Sequence, residues 1–190
     1  MSVAFIFPGQ GAQVTGMGRD FYEQTDTGRK VFDKASQLLG FSMPELCFEP
    51  NERLDLTEYT QAAMVTVSIA MMKVLMEETK IRPDVAAGLS LGEYCALFAT
   101  GAMSEEDAIT AVRKRGILMQ QAVPAGIGSM AAILGMEAAG IEAVLADLKE
   151  VQIANYNCPG QIVISGKKEA VELAGEKLKG AGAKRVIPLN

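Results

Sequence analysis

Apolar positions fall into compact runs at some points of the chain and broad stripes at others, and the two textures predict different elements. Ser2 to Phe7 (SVAFIF) is a compact run closed by Pro8-Gly9, which predicts a buried strand entering a turn. Phe21 to Leu39 has helical spacing. Thr57 to Thr79 (TEYTQAAMVTVSIAMMKVLMEET) is apolar nearly all round and predicts a core helix capped by Thr57, with methionines as filler. Pro83 to Gly88 (PDVAAG) predicts a short buried parallel strand, and a helix begins just past Ser90. Ser104 with Glu105, Glu106 and Asp107 marks another helix start, because a cap hydroxyl and early acids satisfy the free N–H groups and the positive end of the dipole. That helix runs through Gln121 and stops before Pro124.

Beyond Pro124-Ala125-Gly126 the texture changes. Ser129 to Leu134 predicts a strand, Glu137 to Lys149 a helix, Val151 to Asn157 and Gln161 to Ser165 two strands, Lys168 to Gly180 a helix and Lys184 to Leu189 a last strand. The order is βαββαβ, the split unit of ferredoxin-like folds. The chain therefore reads as α/β in two parts, residues 1–125 and a small domain over 126–190, with the boundary near Ala125.

Composition narrows the class. A chain of 190 residues can bury one sizeable core, or one core plus that of a small companion. Hydrophobic and charged fractions are ordinary for a globular protein, no uninterrupted apolar run approaches the ~18 residues of a membrane span, and Met1 to Gln10 lacks the basic start of a signal peptide. These features predict a cytoplasmic protein with no membrane partner. A net charge of −5 argues against general nucleic-acid binding. Cys47, Cys95 and Cys158 lie far apart, without a C-x-x-C pair or any histidine, so no metal site is expected and the thiols read as reduced and mostly buried.

Candidate chemistry centres on GLSLGEY, Gly88 to Tyr94. Its G-x-S-x-G spacing between a strand and a helix is that of a nucleophile elbow, in which Gly88 and Gly92 permit close packing around a strained, exposed Ser90 and the Leu91 N–H points toward the same space. A capping serine between turn glycines explains the stretch without chemistry, and the absence of histidine leaves Ser90 without the usual base. An acyl-transfer site needs a second oxyanion donor, and FPGQGAQ, Phe7 to Gln13, offers the Gln10 N–H from a loop straight after the first strand. A dinucleotide fingerprint would need glycine where Val14 stands, and a phosphate loop would need G-K-[ST]. At about 100° per residue Arg115 falls on the side of its helix that holds Ala108, Val112 and Met119, whereas Arg113 and Lys114 fall away from it. An arginine there needs an anion, which either a buried acid or a ligand supplies.

FPGQGAQ, GLSLGEY, KRGILMQQAVP and ANYNCPGQIVISG in one order make the chain resemble the malonyl-CoA:acyl carrier protein transacylases. The resemblance implies an α/β-hydrolase-like large subdomain, incomplete here, with a ferredoxin-like small subdomain. It implies a ping-pong transfer in fatty-acid synthesis from malonyl-CoA, through a malonyl-serine, to the phosphopantetheine thiol of acyl carrier protein. Malonyl-CoA is then a substrate, and no cofactor is implied. Carried over by motif, Ser90 is the nucleophile, the Gln10 and Leu91 amides form the oxyanion hole, and Arg115 holds the malonyl carboxylate. Asn155, Asn157 and Gln161 shape the cleft.

Two departures accompany the resemblance. Leu89 stands where the family usually has histidine, a position that is not the base. The family's catalytic histidine follows the last small-domain strand, so the expectation is an N-terminal fragment, weakly catalytic by itself and poorly soluble because strand edges are left open. Lys167, Lys168, Lys177, Lys179, Lys184 and Arg185 make the small domain locally basic, either as a solvated face or as a surface for the acidic carrier or CoA phosphates. Competing readings are an acyltransferase domain of a polyketide-type synthase, a serine hydrolase, and a non-catalytic scaffold.

Overall fold

The computed structural model describes residues 2–122 and 127–189, and the chain divides into two compact units, Met1–Ala122 and Val123–Asn190. The boundary expected near Ala125 and the stop before Pro124 lie outside the described residues. In the first unit the order is β1 (Ala4–Phe7), α1 (Arg19–Gln24), α2 (Asp26–Leu39), α3 (Met43–Phe48), a 3-10 turn at Arg53–Asp55, α4 (Thr57–Thr79), β2 (Val85–Gly88), α5 (Gly92–Ala99) and α6 (Glu105–Ala122). The helix expected over Phe21 to Leu39 is broken at Thr25, whose hydroxyl accepts from the Gly28 amide at 3.0 Å and starts α2 afresh.

The core of this unit forms around α4, which packs against α2, α5 and α6 and buries Thr60 through Val67 on every side. Phe32, Met43, Ile69, Leu91 and Ile109 fill the space between these helices. α4 is long and apolar enough to cross a membrane by length and composition, yet its apolar run is interrupted by Glu58, Gln61 and Lys73, and 67% of its most apolar window is buried inside the structure, as in a core helix. The cap at its start is Leu56, not Thr57. Thr57 is the first helical residue, and its Oγ1 accepts from Gln10 Nε2 at 3.1 Å.

β1 and β2 pair in parallel from Ala4↔Val85 to Phe7↔Gly88. Successive side chains alternate across this ribbon. Phe5, Phe7 and Ala86 therefore turn into the core, while Ile6 at 72% and Val85 at 61% exposure face outward. The expectation of buried strands is corrected on that face, because exposed positions alternate with buried or half-buried ones along both strands.

The second unit is β3 (Gly128–Leu134), α7 (Ala138–Leu145), β4 (Val151–Cys158), β5 (Gln161–Lys167), α8 (Lys168–Gly180) and β6 (Arg185–Leu189). Its strands lie in the order β4-β5-β3-β6 with every pairing antiparallel, which is the ferredoxin-like arrangement expected from the sequence. Ile133, Ile141, Ile164 and Leu178 are fully buried between sheet and helices. α7 ends at Leu145, earlier than expected.

Burial separates the thiols. Cys47 and Cys95 are buried, and burial pushes each up to about 12, whereas Cys158 is exposed and corrects the expectation for that residue. With a pKa near 12, only ~10⁻⁴ of a buried thiol is thiolate at pH 8. Brief iodoacetamide treatment of the native protein at that pH is expected to alkylate Cys158 alone, as read by peptide mass mapping. Label on Cys47 or Cys95 would show that the core opens on the same timescale.

Candidate active site

Ser90 stands between β2 and α5 with φ at 55°, in the left-handed region that a side-chain-bearing residue enters only at a cost. Gly88 and Gly92 make this bend possible. A Cβ on Gly88 would lie 2.0 Å from the Gly92 carbonyl carbon and oxygen, and one on Gly92 would lie 2.6 Å from the Phe7 carbonyl oxygen. The loop after β1 presses on the same bend, because the Leu89 amide donates to Phe7 O at 3.1 Å and a Cβ on Gly9 would meet Leu89 O at 3.1 Å. The spacing G-x-S-x-G is thus a packing requirement of strand, loop and helix at one point.

The loop is tied down at its far side as well. Gly11 N donates to Gln13 Oε1 at 2.7 Å, Gln13 Nε2 donates to Asp55 Oδ1 at 3.1 Å, and Gln10 Nε2 reaches Thr57. Among the described residues neither the Gln10 nor the Leu91 amide has an intramolecular acceptor, although the next three amides, Gly92 to Tyr94, all close turns onto Leu89, Ser90 and Leu91. The donor capacity of both amides is therefore unused among the described residues. Leu91 itself is 1% exposed, so the elbow is anchored from below by its side chain.

Arg115, half-buried on α6, donates from Nη2 to Ser90 Oγ at 2.9 Å and from Nη1 to Gln61 Oε1 at 2.7 Å. The helical angle placed Arg115 correctly beside Ala108 and Val112, both buried, but Met119 of the same stripe is 43% exposed. An open cavity of about 510 Å³ lies there, lined by Tyr94, Arg115, Leu118 and Met119 among others. Arg113, expected to point away, instead reaches α4. It pairs with Glu58 Oε2 at 3.0 Å, bonds the Glu58 carbonyl, and its guanidinium stacks 4.4 Å from the Tyr59 ring centroid. α6 packs along α4 through Gly116, where a Cβ would lie 2.8 Å from Glu58 Cα, and that closeness brings the Arg113 stem within reach of the first turn of α4.

Gln61 was not singled out from the sequence, although a single amide inside an apolar helix is a visible signal. Asn155, Asn157 and Gln161 stand on or between β4 and β5 of the second unit, where Asn157 falls in an irregularity of the ladder. Lys167, one of the basic residues of that unit, is paired with Glu150. Among the described residues no group of histidine, cysteine or acidic side chains suits a metal ion.

The assembled parts are a strained hydroxyl, two unused main-chain donors on the segments that meet at it, and a guanidinium within hydrogen-bond distance. They suit attack on a carbonyl whose acyl chain carries a negative charge. No side chain bonded to Ser90 among the described residues can take its proton, since a guanidinium is a donor only.

A family model described as acyl transferase domain matches residues 4–190. The chain is 52% identical over 192 residues to a malonyl CoA-acyl carrier protein transacylase of Bacillus subtilis, covering 98% of this chain and 60% of that one. It superposes with a TM-score of 0.92 on the malonyl CoA-acyl carrier protein transacylase of Coxiella burnetii, at 41% identity over 100% of this chain and 61% of that structure. A malonyl-transacylase in complex with a type II polyketide-synthase acyl-carrier protein matches with a TM-score of 0.91 at 41% identity, over 100% of this chain and 62% of the other. The chain thus spans about three fifths of the length of the curated relatives it matches.

Proposed function

The chain belongs to the acyl transferase domain family, and from that premise we propose that it takes the malonyl group from malonyl-CoA onto Ser90 and passes it to the phosphopantetheine thiol of acyl carrier protein, in the cytoplasm, for fatty-acid synthesis. Ser90 Oγ attacks the thioester carbonyl, the C–O bond forms, the C–S bond breaks, and CoA departs as the thiol after a base relays the serine proton to it. The carrier thiol then reverses these steps on the new ester. Gln10 and Leu91 amides receive the negative charge of each tetrahedral intermediate, and Arg115 holds the malonyl carboxylate. In this reading the first unit carries the nucleophile, and the second is the small ferredoxin-like subdomain. No cofactor takes part.

The observation that carries the reading is the 2.9 Å contact between Arg115 and Ser90 Oγ at a left-handed elbow. A malonyl ester on Oγ places its carboxylate within reach of that guanidinium, whereas a neutral acyl chain leaves the charge unused. Incubation with malonyl-CoA followed by intact-mass analysis is expected to show a slowly formed malonyl adduct that maps to Ser90. In Arg115→Ala the preference for malonyl over acetyl labelling is expected to fall about 10- to 100-fold, the value of a lost charge-assisted pair. Equal loss for both acyl groups would remove Arg115 as the carboxylate holder.

Likeness to a transacylase solved with a polyketide carrier supports a second reading of the acceptor. Side-by-side transfer to fatty-acid and polyketide carriers separates the two, and a malonyl-serine that only water resolves would indicate a hydrolase.

A further inference from the structure

We propose that Gln61 is a positioning residue that aims Arg115 without neutralising it, and that this neutral partner sets the preference for an acyl chain bearing a carboxylate. The inference rests on the reading of Arg115 as the holder of that carboxylate. Gln61 is 1% exposed, on α4, and the structure gives its two amide ends different neighbours. Oε1 accepts from Arg115 Nη1 at 2.7 Å, while Nε2 lies 3.2 Å from the Met119 thioether sulfur. A guanidinium only donates and a thioether only accepts, weakly, so the amide has one favourable orientation, oxygen toward arginine.

The contrast with Arg113 shows what this achieves. An arginine brought into a packed helix interface ordinarily meets a carboxylate. One turn of α4 supplies both residues of α6 with a partner: Glu58, an acid, for Arg113 and Gln61, an amide, for Arg115. Arg113 is thereby neutralised by an ion pair, and Arg115 makes no ion pair among the described residues. Gln61 occupies Nη1 and so fixes the plane of the fork. Nη2 rests on Ser90 Oγ, a weak neutral acceptor that an incoming carboxylate can outcompete. The full positive charge thus remains available, directed at the nucleophile, and a glutamate at position 61 would consume it before any ligand arrived.

The test uses the full chain, wild type, Gln61→Glu and Gln61→Met, with thermal melts to establish folding. Affinities for unreactive amide analogues of malonyl-CoA and acetyl-CoA are measured by calorimetry, the acetyl analogue serving as the reference without a carboxylate. The wild type is expected to favour the malonyl analogue. Gln61→Glu is expected to lose that preference by about tenfold or more, because its carboxylate competes for the fork, and Gln61→Met to lose part of it through loss of aim. A merely structural role would weaken both analogues alike. A folded Gln61→Glu with the wild-type ratio overturns the inference and leaves the assignment of Arg115 standing. A wild type without malonyl preference overturns both. Should Gln61→Glu not fold, an unchanged ratio in Gln61→Met overturns the inference.

Discussion

Ser90→Ala is expected to leave the chain folded and to abolish the covalent malonyl adduct. The hydroxyl bonded to Arg115 is the group proposed to form the ester, while the amides of Gln10 and Leu91 and the guanidinium of Arg115 remain in place. Loss of such a nucleophile typically costs ~10⁴ to 10⁶ in turnover. Adduct formation is followed by intact mass, with bound but unreacted malonyl-CoA measured separately to show that the site persists. Adduct at undiminished rate would place the chemistry on another residue and end the assignment. Backbone geometry adds a second readout. Serine at φ 55° bears a steric penalty that glycine does not, so Ser90→Gly is expected to be as inactive as alanine yet more stable than wild type by about 1 kcal/mol. A nucleophile held at a strained position would then be visible as stability given up for reactivity.

Gly88→Ala is expected to destabilise the first unit by more than about 3 kcal/mol and to remove acylation with it. The added methyl would fall 2.0 Å from the Gly92 carbonyl atoms and 2.4 Å from Glu93 N, all backbone, so no rotamer change can relieve the clash. β2 cannot retreat, because its pairing with β1 runs through Phe7↔Gly88, and α5 cannot retreat, because Gly92 already abuts the Phe7 carbonyl. Either movement would carry Ser90 away from Arg115. Gly180→Ala is the control, since nothing lies within 4 Å of a Cβ there and helix propensity favours alanine. Urea melts read by circular dichroism compare the two. A Gly88→Ala midpoint equal to wild type would show that the close packing at the elbow is not required.

Much of the site was legible because its signals are local. A glycine that must let backbone touch backbone, a serine between strand and helix, and an arginine at a fixed helical angle from buried alanine and valine depend on sterics and on the 3.6-residue period. The second unit was legible for the same reason: its alternating strands and striped helices state which face is apolar and give the βαββαβ succession of elements, while the strand order β4-β5-β3-β6 came only from the structure. Local pattern failed where two helical stripes run together, as at Thr25, whose side chain rather than any change of period divides α1 from α2. It failed again at Arg113, where helical angle alone ignored the reach of a long stem toward Glu58 and Tyr59.

By itself, then, the sequence determined the elbow, the glycine-rich loop before it, the side of α6 that bears Arg115 and the plan of the small unit, all of which are set by backbone sterics and periodicity within a few residues. Only the tertiary structure decided that Gln61 partners Arg115 while Glu58 partners Arg113, that Thr57 receives Gln10 instead of capping α4, and that Ile6 and Val85 face outward. Each of these depends on which surfaces meet across dozens of residues. A periodic pattern says that a face is apolar or polar, but packing between α4 and α6, held close by Gly116, chooses the partner.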